Sequence, residues 1–261
     1  MKAGIIIPHR NRLHNINTII PKIKQNLLDF EHNYTIIVAN QDDNEKFNKG
    51  FNMNVGAHLA LEKHSCDYLI FHDTDANPMN TDTDLYGPRE NSGCLTRWYT
   101  GFGEQNDDQG GIFGGAVYIK KNDYLKINGW CNCFWGWGCE DIEIIPRMVN
   151  NDIKLKRGNI KFDNLTHVDD DNPRFHGNLN YGNNYKLLLI SNGNELNYLE
   201  EGYSQIDYTI NNYNTMFDDE NIIFYDIKNN TGPQYILGED MPKEFLQKVV
   251  RKFAWNKWRL N

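Results

Sequence analysis

Short apolar runs alternate with helical patterns along the first third of the chain. Largely β-branched or aromatic runs at positions 4–8, 34–40 and 68–72 are bounded by turn-forming or polar residues, which predicts buried strands. Between them, apolar residues recur every three or four positions at 13–27 and 47–59, which predicts helices. Strands that alternate with helices in this way indicate an α/β domain.

Proline and glycine mark where the predicted elements end. Pro21 lies inside the first helical pattern and predicts a kink or a split there. Pro146 should likewise shorten or kink the helix that opens at Asp141. The segment 76–110 is rich in Pro, Gly, Asp and Asn, which is typical of a long functional loop, and a strand is expected at 116–119.

The second half of the chain carries weaker patterns. Two short strands are expected at 153–156 and 160–162, and an antiparallel or irregular region at 178–235. The segment 242–260 combines an apolar helical face with six basic residues and one acidic residue. We therefore expect a catalytic domain at 1–235 and a basic amphipathic helix at 236–261, which either lies on an anionic membrane surface or docks on its own domain.

Composition excludes several classes of protein. The chain has 261 residues and 39% hydrophobic residues, which is enough for one sizeable core. Its net charge of -8 argues against nucleic-acid binding, and no apolar run reaches the length of a membrane span. Five cysteines are an odd number without zinc-site spacing, which favours reduced thiols in a cytoplasmic protein.

Two aspartates directly follow the third predicted strand, in Asp73-Thr74-Asp75. As a strand breaks into a loop, both carboxylates can turn toward one cation, and hard oxygen ligands suit Mg²⁺ or Mn²⁺. The alternative is a turn in which an aspartate side chain only closes the strand.

The segment Phe134 to Asp141 alternates tryptophan with glycine and ends in two carboxylates. Glycine allows close approach of a ligand, and an indole face suits stacking on a sugar ring. Glu140 and Asp141 open a helix, where the helix dipole favours acidic residues. A tight turn with a core tryptophan and an acidic helix start is the structural alternative.

Further polar residues follow the ends of predicted strands. Arg10 and Arg12 lie just past the first strand, where open α/β sheets bind ligands and where Arg suits phosphate oxygens. Phe47 and Lys49 open the second helix and can face a nucleotide. A solvated basic loop and core aromatic residues are the alternatives. His167 precedes three aspartates, which raises its odds as a metal ligand only modestly.

Several colinear stretches of the chain resemble the β-1,4-galactosyltransferase family of inverting glycosyltransferases. The resemblance implies an α/β GT-A nucleotide-diphospho-sugar transferase fold, a Rossmann-like mixed sheet flanked by helices, with a UDP-sugar donor, a glycan acceptor and Mn²⁺. The matching stretches are 5–12, 47–49 with 54–56, 73–75 with 78–80, 113–115, 127–129, 134–141 and His167.

The same resemblance implies a role for individual residues. Asp141 would be the general base, with Glu140 holding the acceptor sugar beside Trp137 and Gly138. Asp75 and His167 would bind the metal, with Asn164 at a position where the family often has Met. The implied donor-binding residues are Pro8, Arg10, Arg12, Phe47, Lys49, Asp73, Ile112, Gly114 and Gly115.

Ile112 departs from the tyrosine of many family members that use UDP-galactose. Members with Ile or Leu there accept UDP-N-acetylgalactosamine, so we expect this chain to tolerate or prefer that donor. A polypeptide- or chondroitin-type N-acetylgalactosaminyltransferase, a catalytically silent sugar-binding protein and a metal-dependent hydrolase are the alternatives. Because the sequence lacks the signal anchor of Golgi members, we expect a bacterial or viral enzyme in the cytoplasm.

Overall fold

The described part of the chain folds around one mixed sheet. A computed structural model describes residues 1–79, 83–96, 113–136, 138–160, 162–165, 184, 188 and 201–233. The strands are β1 (Lys2–His9), β2 (Asn33–Gln41), β3 (Tyr68–His72), β4 (Ala76–Pro78), β5 (Gly93–Thr96), β6 (Ala116–Lys120), β7 (Lys156–Ile160), β8 (Phe162–Asn164), β9 (Tyr208–Met216) and β10 (Asp219–Asn229). The helices are α1 (Leu13–Asp29), α2 (Lys49–His58) with a π-helical continuation (Leu59–Lys63), α3 (Lys121–Lys126) and α4 (Glu140–Asn150), with a 3₁₀ turn at Tyr203–Gln205.

Eight of these strands form the large sheet, in the order β7-β5-β6-β3-β1-β2-β10-β9. The four central strands β3, β1, β2 and β10 are parallel, so their carboxyl ends meet at one edge. β4 and β8 pair as a separate two-stranded sheet beside that edge. This arrangement confirms the expected mixed α/β sheet flanked by helices.

Both faces of the sheet are buried, which explains why its central strands read as continuous apolar runs. Alternate residues of β1 point to opposite faces, so Ile6 packs in the core with α2 and Trp130, whereas Ile5 and Ile7 pack in the core with α1. All these side chains are fully buried. The two cores hold the sheet rigid, and the functional loops leave from its edge.

Pro21 was expected to kink or split the first helix, and the expectation of a split is wrong. α1 runs without interruption from Leu13 to Asp29. Pro21 lies on the exposed face of the helix, as does Asn17 one turn earlier. The carbonyl group that loses its intrahelical hydrogen bond to proline therefore faces solvent, where water can satisfy it.

The second half of the chain differs from the expectation in register and pairing. The strands expected at 153–156 and 160–162 are found at β7 and β8, three and two residues later. The expected antiparallel pairing is confirmed for β9 and β10, but β10 also pairs in parallel with β2. The segment 242–260 lies outside the described residues. Within the described chain, no helix has the length and apolar character that crossing a membrane requires.

A buried ion pair ties α4 to the chain segments near residues 134–139, the Trp-Gly turn. Arg147 is 1% exposed and donates to both carboxylate oxygens of Glu143 at 2.8 Å. Its guanidinium also donates to the carbonyl groups of Gly129 at 3.3 Å and Glu201 at 2.8 Å. One side chain thus joins α4, the α3–α4 connection and the segment that precedes the 3₁₀ turn.

Replacing Arg147 should destabilise the fold strongly. In Arg147→Met the carboxylate of Glu143 stays buried without its counter-ion, so we expect the free energy of unfolding to fall by about 3–5 kcal/mol in urea titrations. The double variant Glu143→Leu/Arg147→Met removes both charges and should lose less than the two single variants added together. Strict additivity of the two losses would contradict the ion-pair account.

Candidate active site

The Asp73-Thr74-Asp75 segment leaves the carboxyl end of β3 and is fastened there by Gly115. The amide of Asp73 donates to the carbonyl oxygen of Gly115 at 2.7 Å, and the amide of Gly115 donates back to Oδ2 of Asp73 at 3.0 Å. Gly115 has a φ of +80°, a backbone conformation that favours glycine. Gly115 therefore lies directly beside the first aspartate, although 42 positions separate the two residues in the sequence.

One ammonium group joins residues from three separate parts of the chain. Nζ of Lys49 lies 2.9 Å from Oδ1 of Asp73 and 2.9 and 3.0 Å from the two carboxylate oxygens of Asp141. Oε1 of Glu140 is 3.6 Å away. Because Lys49 opens α2, Asp73 follows β3 and Asp141 opens α4, this contact brings three elements to one point.

Burial and neighbouring carboxylates set the protonation of this cluster. Burial raises the pKa of Asp141, and Glu140 and Asp73 raise it further, whereas Lys49 acts in the opposite direction. Burial alone would lower the pKa of Lys49, but Asp141, Asp73 and Glu140 together raise it well above its usual range. The ammonium therefore stays charged, and the ionised form of Asp141 depends on it.

Hydrogen bonds to its backbone groups hold the Trp-Gly turn from both sides. The amide of Gly136 donates to the carbonyl oxygen of Phe47 at 2.7 Å. The side-chain amide of Asn184 donates to the carbonyl oxygens of Trp135 and Gly138, each at 3.1 Å. Gly136 and Gly138 have φ values of +81° and +98°, so their glycines permit the turn.

The turn delivers the two carboxylates to the start of α4. Cys139 immediately before them has a φ of +81°, which is unusual for a residue with a Cβ. The amide of Phe113 donates to the carbonyl oxygen of Asp141 at 2.8 Å, which anchors the first turn of the helix. Strained backbone beside buried carboxylates is typical of a functional site.

Two asparagines fasten α2 to the segment before the turn. Asn48 accepts from the amide of Phe51 as the helix cap and donates to the carbonyl oxygen of Asn132 at 2.7 Å. Asn54 accepts from the amide of Trp130 at 2.9 Å and donates to its carbonyl oxygen at 2.7 Å. These contacts fix Lys49, which lies between the two asparagines, relative to the Trp-Gly turn.

The two predicted donor-binding arginines reach in different directions from the end of β1. Arg10 donates to the carbonyl oxygens of Glu45 and Asp43, the latter at 3.2 Å. Arg12 donates to the hydroxyl of Thr74 at 3.4 Å. The guanidinium groups therefore connect the first strand end with the loop before α2 and with the aspartate segment.

Part of the predicted metal site lies together at the two-stranded sheet. Ala76 of β4 pairs with Asn164 of β8, and the amide of Leu165 donates to the carbonyl oxygen of Asp75 at 3.0 Å. Among the described residues there is no group of three His, Cys, Asp or Glu side chains that would hold a metal. The third predicted ligand, His167, lies outside the described residues. Carboxylate and amide oxygens are ligand types that suit Mn²⁺.

The structure thus brings Lys49, Asp73, Glu140 and Asp141 into contact and places the arginines at the same edge. Pro8 is buried at the end of β1, and Phe47 is half-buried before α2. Ile112 and Trp137 lie outside the described residues.

Sequence reasoning missed three polar residues that position this site. They are Thr74, Asn54 and Asn184. A polar residue in a helix that is otherwise buried was an available signal for Asn54, whereas nothing in the sequence singled out Asn184.

Comparison with known proteins supports one family. Two protein-family models match the chain. The first, described as the N-terminal region of glycosyl transferase group 7, matches residues 1–88. The second, described as the N-terminal domain of galactosyltransferase, matches residues 103–171. Human β-1,4-galactosyltransferase 4 is 33% identical over 158 residues, which cover 60% of this chain and 45% of that protein.

Two further proteins are similar to the chain. A β-N-acetyl-D-glucosaminide β-1,4-N-acetylglucosaminyl-transferase from Lymnaea stagnalis is 33% identical over 177 residues, covering 64% of this chain and 35% of that protein. Drosophila β-1,4-galactosyltransferase 7, crystallised with manganese, UDP-Gal and xylobiose, superposes with a TM-score of 0.69 at 21% identity, covering 88% of this chain and 94% of that chain. The chain spans less than half the length of the two curated relatives.

The expected cytoplasmic location in a bacterium or a virus-infected cell is wrong. The two curated relatives come from the animals Homo sapiens and Lymnaea stagnalis, and neither comes from a bacterium or a virus. The expectation rested on the lack of an apolar anchor in the sequence, and that lack carries no information about compartment.

The two family models match most of the first two thirds of the chain, and the matched segments contain both the aspartate segment and the Trp-Gly turn. The chain therefore belongs to the β-1,4-galactosyltransferase family.

Proposed function

We propose that this protein is an inverting glycosyltransferase that moves galactose or N-acetylgalactosamine from a UDP-sugar to a sugar hydroxyl, forming a β-1,4 link. The observation that carries the proposal is the contact of Lys49 with Asp73 and Asp141 at the carboxyl edge of the parallel strands. It joins the predicted donor side to the predicted proton acceptor in one site. Membership of the family supports the same reaction.

Asp141 is the general base of the proposed reaction. The acceptor oxygen attacks C1 of the donor sugar, the bond from C1 to the diphosphate oxygen breaks, and Asp141 takes the hydroxyl proton. Burial raises the pKa of Asp141, and the charge of Lys49 opposes that shift and so favours the ionised form that a base needs. Glu140, the residue before Asp141, would accept a hydrogen bond from another hydroxyl of the acceptor, with Trp137 and Gly138 as further acceptor-binding residues of the same segment.

Asp75, Asn164 and His167 are the residues that would hold the metal. Mn²⁺, when bound there, supplies positive charge for the leaving diphosphate. The adjacency of the Asp75 and Asn164 backbones supports this donor set, since β4 and β8 pair next to the aspartate segment. Arg10 and Arg12 add charge for the nucleotide part of the donor.

The donor sugar and the role of the C-terminal segment are finer parts of the proposal. Ile112 in place of tyrosine favours room for an N-acetyl group. The name of the Lymnaea relative gives a specific reason to include UDP-N-acetylglucosamine as a second candidate. The basic segment at 242–260, in a separate unit at 236–261, remains predicted to contact either a membrane surface or the domain at 1–235.

Asp141→Asn should separate chemistry from donor binding. Because the amide cannot take a proton, we expect kcat to fall by about 10²–10⁴-fold, while UDP binding with Mn²⁺ in calorimetry stays within about threefold. Asp152→Asn, an exposed carboxylate just after α4, is the matched control and should retain activity. An equal loss of binding and turnover in Asp141→Asn would contradict the assigned role.

Lys49→Met should move the pH dependence of the reaction. Lys49 lowers the pKa of Asp141, so its removal raises that pKa and the acid limb of the kcat/KM profile should shift to higher pH. We expect kcat/KM at pH 7 to fall at least about tenfold, because a smaller fraction of the base is ionised. Lys49→Arg keeps the charge and should keep the acid limb near its original pH. An unchanged profile in Lys49→Met would exclude this electrostatic role.

A competition among UDP-galactose, UDP-N-acetylgalactosamine and UDP-N-acetylglucosamine, with Mn²⁺ and a glycan library, tests the reaction itself. We expect a product heavier by an N-acetylhexosamine residue when both donor types are offered. Ile112→Tyr should shift the products toward hexose. Strict exclusion of N-acetylated donors would refute the Ile112 argument.

The same assay separates the alternative functions. Cleavage of UDP-sugar that added acceptors do not divert would indicate a hydrolase, and binding without turnover would indicate a silent protein. Transfer to peptide acceptors alone would indicate a polypeptide-type transferase.

A further inference from the structure

A row of three polar side chains crosses the sheet next to the turn that carries Arg10 and Arg12. His9, Asn40 and Asp226 are the partners at one level of β1, β2 and β10, near the carboxyl ends of these parallel strands. Side chains at one level of neighbouring strands point to the same face. Nδ1 of His9 lies 2.7 Å from Oδ1 of Asn40, and Nδ2 of Asn40 donates to Oδ1 of Asp226 at 2.8 Å.

The row has a single direction of proton donation. The amide of Arg12 is always a donor, and it donates to Nε2 of His9 at 3.0 Å. Nε2 must therefore be unprotonated, so Nδ1 carries the proton and donates to Asn40. Asn40 continues the row in the same direction, because its side-chain carbonyl oxygen accepts a hydrogen bond from His9 and its side-chain amide group donates one to Asp226. Side chains of β2 and β10 thus determine that Nε2 is the nitrogen of His9 that can accept a hydrogen bond.

The environment of His9 favours this neutral form. His9 is 4% exposed, and the ring of Phe224 packs edge-on against it with centroids 5.4 Å apart. Burial lowers the pKa of His9, and the nearby charge of Arg12 acts in the same direction. A protonated imidazole would also point an N–H group at the amide of Arg12, and two donors cannot pair.

The group fastened by this row is the turn that carries both arginines. Arg12 precedes α1, and none of its own side-chain atoms caps the helix. Asn11 has a φ of +54°, a left-handed conformation that needs support from its neighbours. The bond from the Arg12 amide to His9 closes this turn, and the side chains of Arg10 and Arg12 then extend to the loop before α2 and to Thr74.

We infer that His9 is a positioning residue for donor binding, which holds the turn of Arg10 and Arg12 through the row formed with Asn40 and Asp226. This inference rests on the proposed function, because it assigns the arginines to the diphosphate or nucleotide part of a UDP-sugar. His9 is buried, so the proposed effect does not require contact with the donor or the acceptor. Its effect on the reaction passes through the geometry of the turn.

Two substitutions separate hydrogen bonding from ring packing. His9→Phe keeps a ring against Phe224 but can neither accept from Arg12 nor donate to Asn40. His9→Gln loses the ring, yet its amide can accept with Oε1 and donate with Nε2 in the same direction. His14→Phe, at an exposed histidine in the first turn of α1, is the matched control.

For His9→Phe we expect the Kd for UDP with Mn²⁺ and the KM for the donor to rise about tenfold, the effect of one lost positioning hydrogen bond. The KM for the acceptor and kcat should stay within twofold. His9→Gln should recover most of the donor affinity, and His14→Phe should match the original protein. Unchanged donor affinity in His9→Phe, or equal losses in the Phe and Gln variants, would overturn the inference.

A measurement without substrate distinguishes failure of this inference from failure of the proposed function. The ¹⁵N shifts of His9 should report a protonated Nδ1 and an unprotonated Nε2, and the amide of Arg12 should exchange slowly in the original protein and quickly in His9→Phe. A protonated Nε2 would overturn the row regardless of activity. The expected shifts and exchange together with no binding of any UDP-sugar would retain the row and refute the proposed function.

Discussion

The ammonium group of Lys49 is the contact on which the arrangement of the site depends. It lies within 3.0 Å of carboxylate oxygens from Asp73 and Asp141, which belong to elements 68 positions apart in the sequence. In a buried environment two unpaired carboxylates would repel each other and take up protons. The ammonium group of Lys49 counters that repulsion, so the aspartate segment after β3 and the helix start of α4 can lie side by side.

The contact of Lys49 with the two aspartates requires that α2 keeps its position, and hydrogen bonds from polar residues around α2 hold the helix in place. Asn48 and Asn54 bind backbone groups of the segment 130–132, and the carbonyl oxygen of Phe47 accepts from Gly136. Buried amide side chains are costly unless their hydrogen bonds are made, so each asparagine defines one arrangement of helix and turn. The buried guanidinium of Arg147 does the same for the other end of the turn, where it binds three carbonyl groups of the α3–α4 connection and one before the 3₁₀ turn.

Local sequence was sufficient for the elements whose signals are local. The buried runs placed β1, β2 and β3 within two residues, and the two aspartates after β3 follow from its end. The contact between Lys49 and Asp141 spans 92 positions and left no local signal beyond the resemblance, which assigned the two residues to different partners. Asp226 was invisible for a related reason, because its partners depend on β10 entering the sheet in parallel beside β2. Pro21 shows the opposite limit of local sequence. A proline inside a helical pattern predicts a break, yet α1 continues through Pro21, which lies on the exposed face of the helix.

The charges at the sheet edge explain why a cation, Lys49, holds the carboxylates together, whereas a neutral histidine holds the turn of Arg10 and Arg12. Asp73, Glu140 and Asp141 surround the ammonium group of Lys49, so three carboxylates in this cluster face one cation. A diphosphate would be repelled from such a site unless cations accompany it. Arg10 and Arg12 can supply part of that charge, provided that the group that holds their turn neither repels nor pairs with their guanidinium groups. A neutral imidazole meets that requirement, and the remaining deficit is what a divalent metal at Asp75 would offset.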